Sequence, residues 1–159
     1  MTVMVDPGAQ MQQEPDANPA PERSRSNRDP PAPVAPEPRP ECIPHIKPHL
    51  GGDPLHNQCA DNVPQNGVPG FDALVNGKHF DALQIRAGVL WEVKTDNFDT
   101  YAVALQEIVI EKQVLELQRE RDLARACGYA FVVGVRSDAH RKALRDADPS
   151  LNIVVMDWC

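Results

Sequence analysis

Twelve of the sixteen prolines in this chain fall within its first 50 residues, and that distribution limits where a folded core can form. Proline withholds a backbone donor and fixes φ. Ser, Asn, Glu and Arg are scattered between these prolines, with few branched apolar side chains. Such a stretch cannot bury enough apolar surface to offset the entropy of ordering it. Residues 1–41, including Pro30-Pro31-Ala32-Pro33-Val34-Ala35-Pro36, are therefore expected to be a disordered, partly polyproline linker. A ligand for a proline-recognising domain is the other use of such a segment. The remainder, 42–159, is enough for one compact domain with a single core and too short for two.

Between Gly70 and Cys159 the pattern reads strand, strand, strand, helix, strand, helix, strand. Phe71 to Val75 is apolar and ends in Asn76-Gly77, the dipeptide best suited to a two-residue hairpin, so Lys78 to Leu83 should return antiparallel. Val89 to Thr95 supplies a third strand. From Tyr101 to Cys127 no Gly or Pro occurs. Val103, Ile110, Val114, Leu117 and Ala124 recur there at helical spacing, with Ala104, Ile108 and Leu115 widening the stripe. Gly128 should stop this helix in a left-handed conformation. Ala130 to Val135 reads as a strand covered on both faces, Ser137 as the N-cap of a helix through about Asp146, and Asn152 to Met156 as a last buried strand. The expected fold class is α/β, a mixed sheet flanked by helices.

Within the second and third strands lie the chain's most suggestive charges. Side chains alternate along a strand, so Glu92 and Lys94 share a face with Leu90 while Trp91 and Val93 face the other way. If Leu83 and Leu90 bracket a turn through Arg86, Ala87 and Gly88, Asp81 falls opposite Glu92. Two carboxylates buried side by side need a cation to neutralise them, and one lysine does not suffice for both. A divalent metal would, which points to a metal-dependent phosphodiesterase. The bland alternative is an exposed charge ladder on a hairpin. Asp72, in Phe71-Asp72-Ala73-Leu74, echoes Phe80-Asp81-Ala82-Leu83 and competes for the ligand role. Asp81 is preferred because Asp72 lies one strand further off, where it should pair a neighbouring cation or support the site from behind.

This order, Asp81, Glu92 and Lys94 on successive strands with a long helix next, resembles the PD-(D/E)xK or restriction-endonuclease-like nuclease superfamily. More narrowly, Asn76 to Leu83 and Leu90 to Thr95 look like the restriction-endonuclease-fold toxin 5 domains of bacterial polymorphic toxins. They also resemble a related uncharacterised bacterial family that shares His56-Asn57-Gln58-Cys59-Ala60-Asp61 and the Asp-Trp-Cys ending. The resemblance covers 42–159. It implies a restriction-endonuclease-like fold in which Asp81, Glu92 and the Val93 backbone carbonyl hold Mg²⁺ or Mn²⁺, and Lys94 positions the attacking water. It also implies a role beside the site for a helix Gln, here Gln113, for which a buried, satisfied amide is an equal alternative; Gln106, on the same face, is read as bland.

The resemblance implies a nuclease acting on nucleic acid, DNA before RNA, as the toxin module of a bacterial effector with a cognate immunity protein. A non-catalytic binding or immunity-type protein on the same fold and a repair or defence nuclease are the rivals. The chain carries a formal net charge of −7, so any nucleic-acid contact must use local basic patches. Lys112, Arg119, Arg121 and Arg125 offer one, and Arg136, His140, Arg141, Lys142 and Arg145 another; ordinary solvated helix faces would look the same. No apolar run is long enough to span a membrane. Met1 to Pro7 is too short for a secretory signal, so the expected location is the bacterial cytoplasm or, for an effector delivered by another route, a target cell.

Cys42, His45, His49, His56 and Cys59 form a second constellation. Cys42-x-x-His45 and His56-x-x-Cys59 have the spacing of a structural Zn²⁺ site, but a Cys42–Cys59 disulfide or unpaired residues in a loop fit equally. A cysteine nucleophile with His56 or His79 as base is a remoter reading. Cys127 is expected to be a small buried apolar residue, and Cys159 is open to pairing with another cysteine.

Overall fold

A computed structural model describes residues 39–159. Residues 1–38, and with them nearly all of the expected linker, lie outside the described residues. Its elements, in order, are β1 (His45–Pro48), α1 (Pro54–Asp61), β2 (Phe71–Val75), β3 (Lys78–Phe80), β4 (Ala82–Gln84), β5 (Val89–Val93), α2 (Val103–Ala126), β6 (Ala130–Val135), α3 (Asp138–Ala147) and β7 (Ile153–Val155). A 3-10 turn at Pro40–Cys42 precedes them. Strands β1, β2 and β3 make an antiparallel sheet; β4, β5, β6 and β7 make a mixed one, with β4 antiparallel to β5 and the rest parallel. The architecture is mixed α/β, as expected, but the strands divide over two sheets.

Local chemistry explains most boundaries. Asn76 and Gly77 take φ of 52° and 80°, the left-handed pair that a two-residue hairpin turn requires, and Val75 pairs with Lys78. Gly128, at φ 82°, ends α2: its N–H bonds the Arg125 carbonyl and the Tyr129 N–H the Ala124 carbonyl, the paired closure that satisfies a helix's last acceptors. Ser137 caps α3 by accepting from His140 N. Asp53 caps α1 in the same way, accepting from Leu55 N and His56 N, with Pro54 at the first helical position.

Apolar residues collect on both faces of the mixed sheet. Leu90, Phe131, Val133 and Val135 pack with Leu117 and Ala124 of α2 and Leu144 of α3. On the opposite face Trp91, Val93 and Val132 pack with Cys59 and Ala60 of α1, Met156 and Trp158. β5 is thus sandwiched between layers, as its alternation predicted. Helix α2 packs Ile110, Val114, Leu117 and Ala124 of the expected stripe against the core, and departs from expectation at its start and its flanks. Leu117 and Ala124 are buried, but Val103, Ile108 and Leu115 are exposed, and Gln113 and Glu120 turn inward. Buried amide and carboxyl groups are tolerated there because partners meet them, described below. No helix among the described residues is long and apolar enough to cross a membrane.

Cysteine pairing corrects the expected Cys42, His45, His56, Cys59 group. Cys42 is disulfide-bonded to Cys127, and Cys59 to Cys159. Neither a Cys42–Cys59 bridge nor a zinc site on these cysteines forms, and Cys127 is a half-buried disulfide partner, not a free apolar residue. Cys42 lies near the C-terminal end of α2, with Asn76 N bonded to the Glu41 carbonyl and the Asn76 amide to the Leu123 carbonyl. Cys59 is buried in the other layer, under Trp91 and Val93. The two residues flank different faces of the structure, which spacing along the chain does not reveal.

Candidate active site

The strand expected over Lys78 to Leu83 breaks at Asp81, where the chain leaves one sheet for the other. Leu83 pairs with Leu90 and Ala82 with Trp91, the register expected of the hairpin. One step further the backbone ladder gives way. Asp81 N donates to the Trp91 carbonyl at 2.9 Å, and the Asp81 carboxylate Oδ2, instead of a carbonyl, takes the Val93 N–H at 2.7 Å. Asp81 is therefore fixed beside Glu92 at a seam that residues from both layers reach.

From the α2 side come Glu116 and Glu120, and from the start of β3 comes Lys78. Lys78 Nζ stands 3.3 Å from Glu92 Oε1 and 3.5 Å from Glu120 Oε2; Lys94 Nζ stands 3.7 Å from Glu92 Oε2 and 3.6 Å from Glu116 Oε1. From the α1 side His56 donates through Nε2 to the Val93 carbonyl at 3.0 Å and lies 3.4 Å from Asp81 Oδ2. Four carboxylates thus face two lysines and one imidazole. Asp81, Glu92 and Glu120 are buried, and Oε1 of each glutamate has no hydrogen-bond partner, its ion pair to Lys78 notwithstanding for Glu92.

The electrostatics follow from that crowding. Burial, then the charge of Asp81, pushes the Glu92 carboxyl well above the usual carboxylate range. Burial raises Glu120 as well, against the pull of Lys78 and Lys94. Burial would raise Asp81 too, but the hydrogen bond and charge of His56 and the Val93 N–H outweigh it and hold that carboxyl low. In return, the Asp81 carboxylate raises His56 to about 9. Burial works against the charge on Lys78 and Lys94, yet the surrounding carboxylates raise both. The same crowding thus pushes Asp81 and Glu92 in opposite directions.

Of the residues singled out from sequence, Asp81, Glu92 and Lys94 come together, with the Val93 carbonyl beside them. Gln113 is buried, but both ends of its amide are occupied: Nε2 donates to Asp96 Oδ1 at 3.0 Å and Oε1 accepts from His140 Nε2 at 2.7 Å. It acts as a buried bridge rather than a free donor. Gln106 bonds the Phe98 carbonyl, as the bland reading has it. Asp72 belongs to another cluster, accepting from His49 Nδ1 at 2.6 Å while His49 Nε2 meets Asp61 at 2.8 Å. Burial works against the imidazolium there, but the two carboxylates raise it. Asp72 thus pairs a neighbouring cation, and His45 is exposed on β1. The basic patches break up: Arg121 is tied to Asp148 and Ser150, Arg141 bonds the Ile153 carbonyl, Lys142 pairs with Asp146, and His140 is buried.

Sequence reading missed Lys78, Glu116 and Glu120, and placed His56 with the cysteines as a zinc ligand or a base instead of beside Asp81. Glu120 was within reach, because it lies seven residues after Gln113 and interrupts the same helical stripe. Asp53-Pro54 is a helix-start signature that would have placed His56 on a helix. A family model for a family of unknown function, DUF6310, matches residues 34–159. The chain belongs to that family. No curated protein and no solved structure matches the chain. For DUF6310, the site chemistry therefore has to be argued from the side chains themselves.

Those side chains are suited to a divalent cation by charge and donor type. The cluster is acid-rich, its carboxylate oxygens are buried without enough donors, and a hard dication neutralises two carboxylates at once. Among the described residues no set of three or more His, Cys, Asp or Glu side chains is gathered closely enough to form a ready cluster. Backbone oxygen must contribute, and the Val93 carbonyl stands within the group.

Proposed function

We propose that this protein is a divalent-cation-dependent phosphodiester hydrolase of the restriction-endonuclease-like kind. The observation that carries this reading is the burial of Asp81 and Glu92 side by side at the end of a hairpin, with Lys94 two residues beyond Glu92 on the same strand face. Asp81, Glu92 and the Val93 carbonyl would hold Mg²⁺ or Mn²⁺. The bound ion would polarise the scissile phosphate and lower the pKa of a water. Lys94, held by Glu92 and Glu116, is placed to orient that water and to steady negative charge on the phosphate. Lys78 keeps Glu92 and Glu120 from repelling one another apart.

The substrate we assign is nucleic acid, DNA before RNA, and the setting a toxin module of a bacterial effector with an immunity protein. The two disulfides support an oxidising compartment at some stage, in keeping with export. Of the two basic patches, exposed Lys112, Arg119, Arg125, Arg136 and Arg145 remain to meet phosphates. One observation favours a second reading, a non-catalytic binding protein: Glu92 is already bridged by two lysines and the Val93 carbonyl already accepts from His56.

The deciding experiment incubates purified protein with plasmid DNA or structured RNA and Mg²⁺ or Mn²⁺, beside Glu92→Ala and Lys94→Ala. Cleavage by the wild type that EDTA and both substitutions abolish is the expected result. Wild-type protein that binds nucleic acid without cutting it, whatever the ion, would leave the binding-protein reading in its place.

A further inference from the structure

At the seam His56 Nε2 meets two oxygens from other parts of the chain. His56 Nε2 is 3.0 Å from the Val93 carbonyl oxygen and 3.4 Å from Asp81 Oδ2. Ligands bound at about 2.1 Å are separated by roughly 3.0 Å when they meet the ion at right angles and by roughly 3.4 Å at a tetrahedral angle. Both observed spacings are those of neighbouring ligands on one ion. Building on the cation-site reading above, we propose that His56 Nε2 is a further ligand of the ion held by Asp81 and the Val93 carbonyl. This nitrogen would make the site selective for a transition-metal dication such as Mn²⁺ or Zn²⁺ over Mg²⁺.

The placement of His56 is firmly built. α1 is only eight residues long, yet Cys59, on the same helix face as His56, is fully buried and disulfide-bonded to Cys159. Trp158 Nε1 bonds the Cys59 carbonyl at 3.0 Å, and its ring meets Trp91 edge-on with centroids 6.0 Å apart. The Asp53 cap fixes the helix start. The imidazole is therefore delivered on a braced element, with 29% of its side chain exposed so that an ion and its waters can approach. Glu92, more than nine-tenths buried and with Oε1 unbonded, adds negative charge next to Asp81.

Donor chemistry then sets the preference. Mg²⁺ favours an all-oxygen octahedral shell and retains its waters, whereas imidazole nitrogen suits Mn²⁺, Zn²⁺ and their neighbours increasingly along the first transition row. The ion takes the place of the ring hydrogen now directed at the Val93 carbonyl, and that proton passes to solvent.

The test uses the full chain with disulfides intact, stripped of metal, and titrated calorimetrically with Mn²⁺, Zn²⁺ and Mg²⁺. Wild type should take one Mn²⁺ or Zn²⁺ at least about tenfold more tightly than Mg²⁺. His56→Ala and His56→Gln should each weaken Mn²⁺ and Zn²⁺ binding at least about tenfold more than Mg²⁺ binding, and the glutamine variant keeps a donor to Val93 if the alanine variant unfolds. In the NMR spectrum Mn²⁺ should broaden the His56 ring signals before those of exposed His45. Unchanged Mn²⁺ and Zn²⁺ affinity in the His56 variants, combined with loss in Asp81→Asn, would remove the role of His56 and leave the cation site standing. No ion binding by the wild type would remove both.

Discussion

At the scale of single residues, the seam between the sheets is a set of charges that tolerate one another only jointly. Lys78 separates Glu92 from Glu120, so Lys78→Met strands the buried Glu120 and leaves Glu92 only its contact with Lys94. It should cost about 3–5 kcal/mol, read from urea denaturation, which is the usual penalty for removing one partner of a buried pair. Glu92→Gln should behave differently. Its carboxyl is already pushed upward by burial and by Asp81, so the substitution should leave stability within ~1 kcal/mol of wild type, or raise it, while abolishing activity. A stability loss as large as that of Lys78→Met would contradict this account. His56 gives the pH dependence. Its folded pKa, about 9, lies above the ordinary histidine value of about 6.5, so its contribution is complete below pH 6.5 and is lost as pH rises through 9. His49, raised between Asp61 and Asp72, acts in the same sense. Thermal midpoints measured from pH 6 to pH 10 should therefore fall, and less steeply in His56→Gln.

At the scale of elements, stops and starts were the legible part. Asn76-Gly77 and Gly128 are positions where left-handed backbone is needed, and Ser137 offers an oxygen to a helix's free N–H groups, so each was readable from one or two residues. The polar partners met by the inward face of α2 were not. Apolar residues occur around most of that helix, and Gln113 and Glu120 turn inward only because His140, Asp96 and Lys78 wait there. Those partners come from elements that the helix's own periodicity does not contain. The α1 cap offers a test at this scale. Asp53→Ala removes the acceptor for Leu55 N and His56 N, and should cost about 1 kcal/mol in thermal or denaturant unfolding. Because His56 sits in the first turn, the same change should also loosen its contact with Val93, seen as faster amide exchange over 55–58.

At the scale of the whole molecule, two disulfides close loops spanning 85 and 100 residues, each tying an early segment to a late one. Loops of that length constrain the unfolded chain strongly, and replacing either pair by serine should cost about 2–5 kcal/mol. Loss of Cys59–Cys159 should in addition lower hydrogen-exchange protection in α1 more than in β4, β5 and β6, whose ladders do not depend on it. By itself the sequence determined the alternation of β5, the hairpin register that brings Asp81 to Glu92, and the acid, acid, lysine order, because these depend on neighbours a few residues apart. Only the tertiary structure decided which cysteines pair, that the strand breaks at Asp81 into a second sheet, and that Lys78, Glu120 and His56 complete the site. Those outcomes depend on layers packing from opposite sides of the sheet, and a side chain's meeting with one from another layer is fixed by the fold's topology, not by its spacing along the chain.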